Sequence, residues 1–364
     1  LLVHDNDLIV ATQGRAIWVL DDLSPLRQMS KATAQSGAYL FTPGDAFRVR
    51  RSENRDTPLP PETPLGTNPP NGAIIDYVLP TDASTPVIIE IHDSKGELVR
   101  RFASDHKPPF RNAFRYFGTD WTREQVMPGS SAGAHRFVWD LHYQRPRVIG
   151  YNYSIAAIHD EDALLKPLGP QAVPGVYDVS LIVGGKTLHA PLRVRMDPRV
   201  DAPADGVAQA TAFAREIGTA LDRAYQGYGE LQSVRTQLEN LAKAQGVSHS
   251  SGTGPMIDAL LKSTASLAKD DGHDSHAIPD VSEVLTSLAS DVESTDRIPT
   301  APQRAVYADY GPRLTTSLNQ WNAIRDGDLA ELNAKLTAAG QTAIHVPTLD
   351  EIHFEGPGVF RDVP

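Results

Sequence analysis

Four kinds of residue grouping in this 364-residue chain could do chemistry or bind a ligand. Gly-Ser-Ser-Ala-Gly at 129–133 has the G-x-S-x-G form, with Ser131 as the candidate nucleophile. A nucleophile elbow needs a strand before the serine and a helix after it. Here a Pro/Gly loop precedes Ser131 and the strand-like run 135–141 follows, so a plain loop is expected. Asp270, Asp271, His273, Asp274 and His276 crowd one short segment. Carboxylate and imidazole together suit zinc or manganese. The segment lacks the EF-hand order and lies between two helical patterns, so a solvated loop is the expectation there, with no metal assigned.

Asp120, Glu124, Asp140, Asp160, Glu161 and Asp162 flank two long segments at about 104–133 and 144–174. Paired carboxyls about 5–9 Å apart could hydrolyse a glycosidic bond. Asp160–Asp162 reads instead as an exposed turn, and Asp140 as part of a strand. Phe110, Phe114, Tyr116, Phe117 and Trp121 cluster in the first long segment, Tyr151 and Tyr153 in the second. Such rings stack on sugars or anchor a protein partner. They serve equally as a plug where two domains meet, and the plug is the expectation. No catalytic residue and no cofactor site is assigned.

Composition narrows the classes further. Apolar residues make up 40% and charged residues 22%, the range of ordinary folded proteins. The net charge of −11, without Lys/Arg blocks, argues against nucleic acid or anionic membrane as partner. Much of the excess falls between 201 and 345, where acidic residues outnumber basic ones 19 to 11. With no cysteine there is no disulfide, thiolate metal site or cysteine nucleophile. No run approaches the ~18 apolar residues of a membrane span.

The elements that must position these groups follow from periodicity. Residues 8–12 and 16–21 are apolar and β-branched around Gly14, the pattern of a hairpin. Residues 42–52 suggest one more short strand, and the proline-rich 56–72 a stiff linker. From 73 to 197 the pattern alternates with period two, broken by turn signals, and predicts an antiparallel sandwich of about seven strands. After 201 the apolar residues recur every three or four positions, predicting an antiparallel bundle of four helices. Pro312 is expected to break or kink the last of them. The predicted organisation is a hairpin at 1–30, a strand and linker at 31–72, a sandwich at 73–200, helices at 201–345 and an extended tail at 346–364. A hairpin as apolar as 8–21 needs a larger sheet, since two strands alone are marginal in water.

"DLIVATQGRAIWVLDDLSPLRQ" resembles the last blade of the bacterial-neuraminidase-repeat (Asp-box) β-propellers related to sortilin and to xyloglucanase-type glycosidases. "GTNPPNGAIIDYVLP" is similar to the connector that follows such propellers in exported bacterial proteins. "GAHRFVWDLHY" and "VPGVYDVSLIVGGKTLHAPLRVRMDPR" resemble an Ig-like sandwich of the flagellar hook-capping type, and "RDGDLAELNAKLTAAG" the end of a helical module found with it. One departure is Gln13, where the turn is expected to carry His. The resemblance implies a non-catalytic bracing or binding region of an exported, periplasmic or extracellular, protein, with the upstream propeller as partner and a protein or glycan as a further ligand. It leaves two alternatives. The parent is a glycoside hydrolase whose carboxylates lie in the propeller, or the helices form an oligomerisation module.

Overall fold

In the computed structural model, residues 1–50, 62–63, 69–106, 126–157, 163–245, 252–269 and 276–354 are described. The chain is mixed, with antiparallel sheets in its first half and helices in its second. Strands β1 (Leu2–His4), β2 (Asp7–Ala11) and β3 (Ile17–Leu20) form a separate antiparallel sheet in that order. The hairpin is therefore one strand larger than its pattern suggested. "LVH" is too short to show a period, and it gains its place by pairing Leu2 with Ile9 and Val3 with Leu8.

A helix that the periodicity did not predict, α1 (Ser24–Thr33), follows directly. Its local signal is Pro25 in the first turn, where the missing N–H costs nothing. Gln28 ties α1 to the chain beyond it: its Nε2 donates to the Thr42 carbonyl and its Oε1 accepts from the Thr42 amide, each at 2.9 Å.

Two further sheets share one core. Strands β4 (Tyr39–Leu40), β6 (Ala73–Leu79) and β9 (Gly133–Trp139) form one, in the order β4-β6-β9. The other contains β5 (Ala46–Arg48), β7 (Ile88–His92), β8 (Leu98–Ala103), β12 (Gly175–Val183) and β13 (Lys186–Met196), in the order β5-β13-β12-β7-β8. All pairings are antiparallel except β5 with β13. Because β4 and β5 complete these sheets, the unit begins well before residue 73. Ile75, Tyr77, Phe137 and Trp139 face Ile89, Ile91, Val179, Leu181 and Leu192 across the core. Side chains alternate as a half-buried strand requires: Tyr177, Val179 and Leu181 point in, Asp178 points out. A hairpin of β10 (Asn152–Ala157) and β11 (Ala163–Lys166) stands apart.

Gly72 enters β6 with φ +141°, and a Cβ there would lie 2.0 Å from the Trp139 carbonyl oxygen. Gly72→Ala is therefore expected to cost about 2 kcal/mol or more through backbone strain and displacement of β9. A urea unfolding midpoint equal to the parent's would refute this.

The helical half is built on α2 (Ala204–Gln245), one continuous helix. Against it lie α3 (Gly254–Ser263), α4 (Ala265–Ala268), α5 (Ile278–Glu293) and α6 (Ala301–Ile324). A π-turn at Arg325–Leu329 leads into α7 (Ala330–Ala338). Leu221, Leu231 and Leu238 of α2 share a core with Leu285, Leu318, Trp321 and Leu332. Glu230 is buried within this half, accepting from Trp321 Nε1 at 2.9 Å and Arg325 Nη1 at 3.0 Å. Pro312 does not break α6, one of the two outcomes expected of it. Leu314, Leu318 and Trp321, just beyond it, are buried, and that packing outweighs the lost backbone bond. The tail closes on α2: Ile352 is buried, its carbonyl accepts from Tyr225 Oη at 2.8 Å, and Phe354 meets the Tyr225 ring edge-on. No described helix is long and apolar enough to cross a membrane.

Candidate docking surface and its mounting

Among the described residues, those singled out for chemistry (Ser131, Asp140, Tyr151, Tyr153 and His276) do not form one cluster. Phe110, Phe114, Tyr116, Phe117, Trp121, Asp120 and Glu124 lie outside the described residues, as do Asp160, Glu161, Asp162, Asp270, Asp271, His273 and Asp274. His276 is exposed two residues before α5. Tyr153 is placed on β10 by its backbone, paired with Leu165. Tyr151 is buried in the helical core beside Val148 and Ile149, and its hydroxyl donates to the Pro146 carbonyl at 2.7 Å. A loop of the sheet unit thus carries an aromatic ring into the helices. Ser131 lies in an exposed loop that runs straight into β9 with no helix after it. Asp140 follows β9 and contacts His142.

One constellation was not legible from spacing. Ser180 and His189 are cross-strand partners on β12 and β13, with Asp178 two residues from Ser180. His189 Nδ1 lies 2.8 Å from Asp178 Oδ2 and 3.1 Å from Ser180 Oγ. Serine and carboxylate therefore share one ring nitrogen. A hydrolytic triad needs them on opposite nitrogens, so that the base faces the serine while the carboxylate holds its far side. This trio is a polar ladder on the outer sheet face. Among the described residues, no group of three or more His, Asp or Glu is arranged to hold a metal ion.

What stands out physically is the β1-β2-β3 sheet. Its registers put Val3, Leu8, Val10, Trp18 and Leu20 on one face. Leu2, Ile9, Ala11, Ile17 and Val19 lie on the other. Both faces are largely apolar, the second carrying His4 and Asp7 at one end, and such faces mark a sheet covered on both sides. Neither is covered: Leu2 is 60% exposed, Ile17 68% and Trp18 65%. Burying each such side chain fully is worth about 1.5–3 kcal/mol. Trp18 Nε1 donates to the Arg15 carbonyl at 2.9 Å, so the indole can enter a dry contact with its donor satisfied.

The sheet is fixed to the rest by polar contacts. The Leu23 amide donates to the Asn6 carbonyl at 2.6 Å and the Asp22 amide to Asp7 Oδ1 at 3.0 Å. Asn6 Nδ2 donates to Asp22 Oδ1 and, at 2.7 Å, to Ser24 Oγ. Asp22 adopts φ +59°, a turn that aspartate tolerates better than most residues. From the two-sheet unit, Arg136 on β9 reaches the Asp21 carbonyl at 3.2 Å while its fork grips both oxygens of Asp76 on β6, at 3.0 and 3.1 Å. Burial pushes the Asp76 carboxyl up, and Arg136 pulls it back. Burial also raises the Asp21 carboxyl, helped by Asp7 and opposed by Arg136. The mount holds the sheet clear of the core and leaves both faces free.

No family model, curated protein or solved structure matches this chain.

Proposed function

We propose that this chain is a non-catalytic bracing and binding region of an exported bacterial β-propeller protein of the sortilin and glycosidase-like class. In this reading β1-β2-β3 is the terminal part of a propeller, and its two faces are covered by β layers of that propeller. The Ig-like sandwich braces the last blade through Arg136, Asp21 and Asn6, and the helical bundle backs the sandwich. The observation that carries it is the two-faced apolar sheet, exposed on both sides. A sheet of that composition is stable only as an inner layer. The aromatic residues that could contact a protein or glycan serve the same associative role.

The test compares Trp18 in two settings, as the difference between the parent and Trp18→Phe. In this chain alone, acrylamide should quench Trp18 as it does a tryptophan in water. When the chain is joined to the propeller proposed as its partner, quenching of Trp18 should fall several-fold. Equal quenching in both settings, or a Trp18 already shielded in a monomeric chain, overturns the proposal.

A further inference from the structure

At one end of the two-sheet unit, three segments distant in sequence surround a cavity of about 580 Å³. They are the chain between α1 and β4, the crossover from β6 to β7 and the turn between β12 and β13. Volumes of ~300–1,000 Å³ are usual for sites that hold small ligands. The floor is the edge of the sandwich core, where Leu79 is buried and Val183 and Leu188 pack against the same cluster. The walls are fastened by the protein itself. The Ala83 amide donates to the Ser130 carbonyl at 2.8 Å, and the Ala132 amide donates to Asp82 Oδ1 at 2.7 Å. The Gly184 amide donates to Thr85 Oγ1 at 3.4 Å. Gly184 and Gly185, both at positive φ, make the tight turn that brings Lys186 to the rim.

Two opposite charges, Asp82 and Lys186, line this one cavity. Among the described residues neither has an ion-pair partner within 4.0 Å, each other included. Asp82 Oδ1 is committed to the Ala132 amide, which leaves Oδ2 and the Lys186 ammonium to face the cavity. The hydroxyls of Ser36, Thr81 and Ser84 also line it, exposed and without a hydrogen bond to another described residue. We propose that the cavity binds a short peptide with free ends and apolar side chains. The peptide's carboxylate pairs with Lys186 and its ammonium with Asp82. The hydroxyls bond its amide, and its side chains lie on Leu79, Val183 and Leu188.

The charges select this class of ligand. An ammonium only donates and an ionised carboxylate only accepts, so each side chain satisfies one end of a zwitterion and neither satisfies the other. A simple anion or cation leaves one of the two charges unanswered, and a neutral ligand leaves both. Asp82 and Lys186 are exposed, and ion pairs in contact with water are weak. Burial of the ligand's apolar side chains on the floor supplies attraction that the charges alone do not. Each charged end is therefore worth a modest factor, about threefold to fivefold in affinity.

The experiment titrates the full chain with dileucine, N-acetyl-dileucine and dileucine amide, and follows the amide resonances of Ala38, Leu79 and Lys186 by NMR. Dileucine should shift these resonances and saturate at millimolar concentration. Each blocked peptide should bind about threefold to fivefold more weakly. Lys186→Met should bind dileucine no better than the parent binds dileucine amide. Asp82→Asn, which keeps an acceptor for the Ala132 amide, should bind it no better than the parent binds N-acetyl-dileucine. No saturable shift with dileucine, equal affinity for all three peptides, or full affinity in both variants overturns the proposal. Should either variant fail to fold, the three peptides against the parent decide alone. None of these readouts depends on what covers the N-terminal sheet.

Discussion

Asp296→Ala is expected to lower the stability of the chain by about 3–5 kcal/mol, the usual cost of removing one partner from a buried ion pair. Arg48 is only 1% exposed and Asp296 8%, so the arginine has no route to water when its partner is gone. Arg48 Nη1 keeps the Ala172 carbonyl at 2.8 Å, but Nη2 loses its acceptor and Nε has none already. Burial already pulls the Arg48 guanidinium down, and Asp296 is what opposes this. Removing the carboxylate leaves the desolvation unopposed. The double change Arg48→Met with Asp296→Leu should recover most of the loss, because it removes the charge along with its partner. Urea denaturation of the single and double variants checks both statements. A single variant with the parent's midpoint, or a double variant weaker than the single, would show that the pair does not hold the two halves together.

The second large effect falls on association. Trp18→Asp and Val19→Asp place a charge on opposite faces of β1-β2-β3. Both residues are exposed, so each change should alter the stability of the isolated chain by under about 0.5 kcal/mol. Under the proposed function, each should weaken association with a partner propeller, produced as a separate polypeptide, by about 2 kcal/mol or more, roughly thirtyfold. If the two faces meet different layers, as proposed, the losses should add to about a thousandfold in the double variant. Isothermal titration would read this directly. If only one of the two substitutions weakened binding, one face would be free in the assembly, and the sheet would be an outer layer instead of an inner one.

The order of elements was largely legible because it is written in short-range periods. Alternation along 175–183 and 186–196 marks two paired strands, and the recurrence of Ile217, Leu221, Leu231 and Leu238 marks one long helix. The same reasoning finds the apolar hairpin, since Leu8, Ile9, Val10, Ile17, Trp18 and Val19 are adjacent in sequence. Elements with little or no period were missed. Strand β1 has three residues, and its strand state depends wholly on β2. The break expected at Pro312 misled in the other direction, because a local penalty was set against tertiary burial that the sequence does not display.

The sequence by itself determined the order of a strand-rich first half and a helical second half, the absence of thiol chemistry and a hairpin too apolar for water. Only the tertiary structure decided that both faces of the hairpin's sheet stay open, and that Ser180, His189 and Asp178 meet in a geometry unfit for hydrolysis. It also decided that hydrogen bonds and ion pairs join the two halves. The physical reason is range. A period of two or three and a half is set by neighbours along the backbone, whereas Arg48 and Asp296, 248 positions apart, are joined only when the whole chain has closed around them.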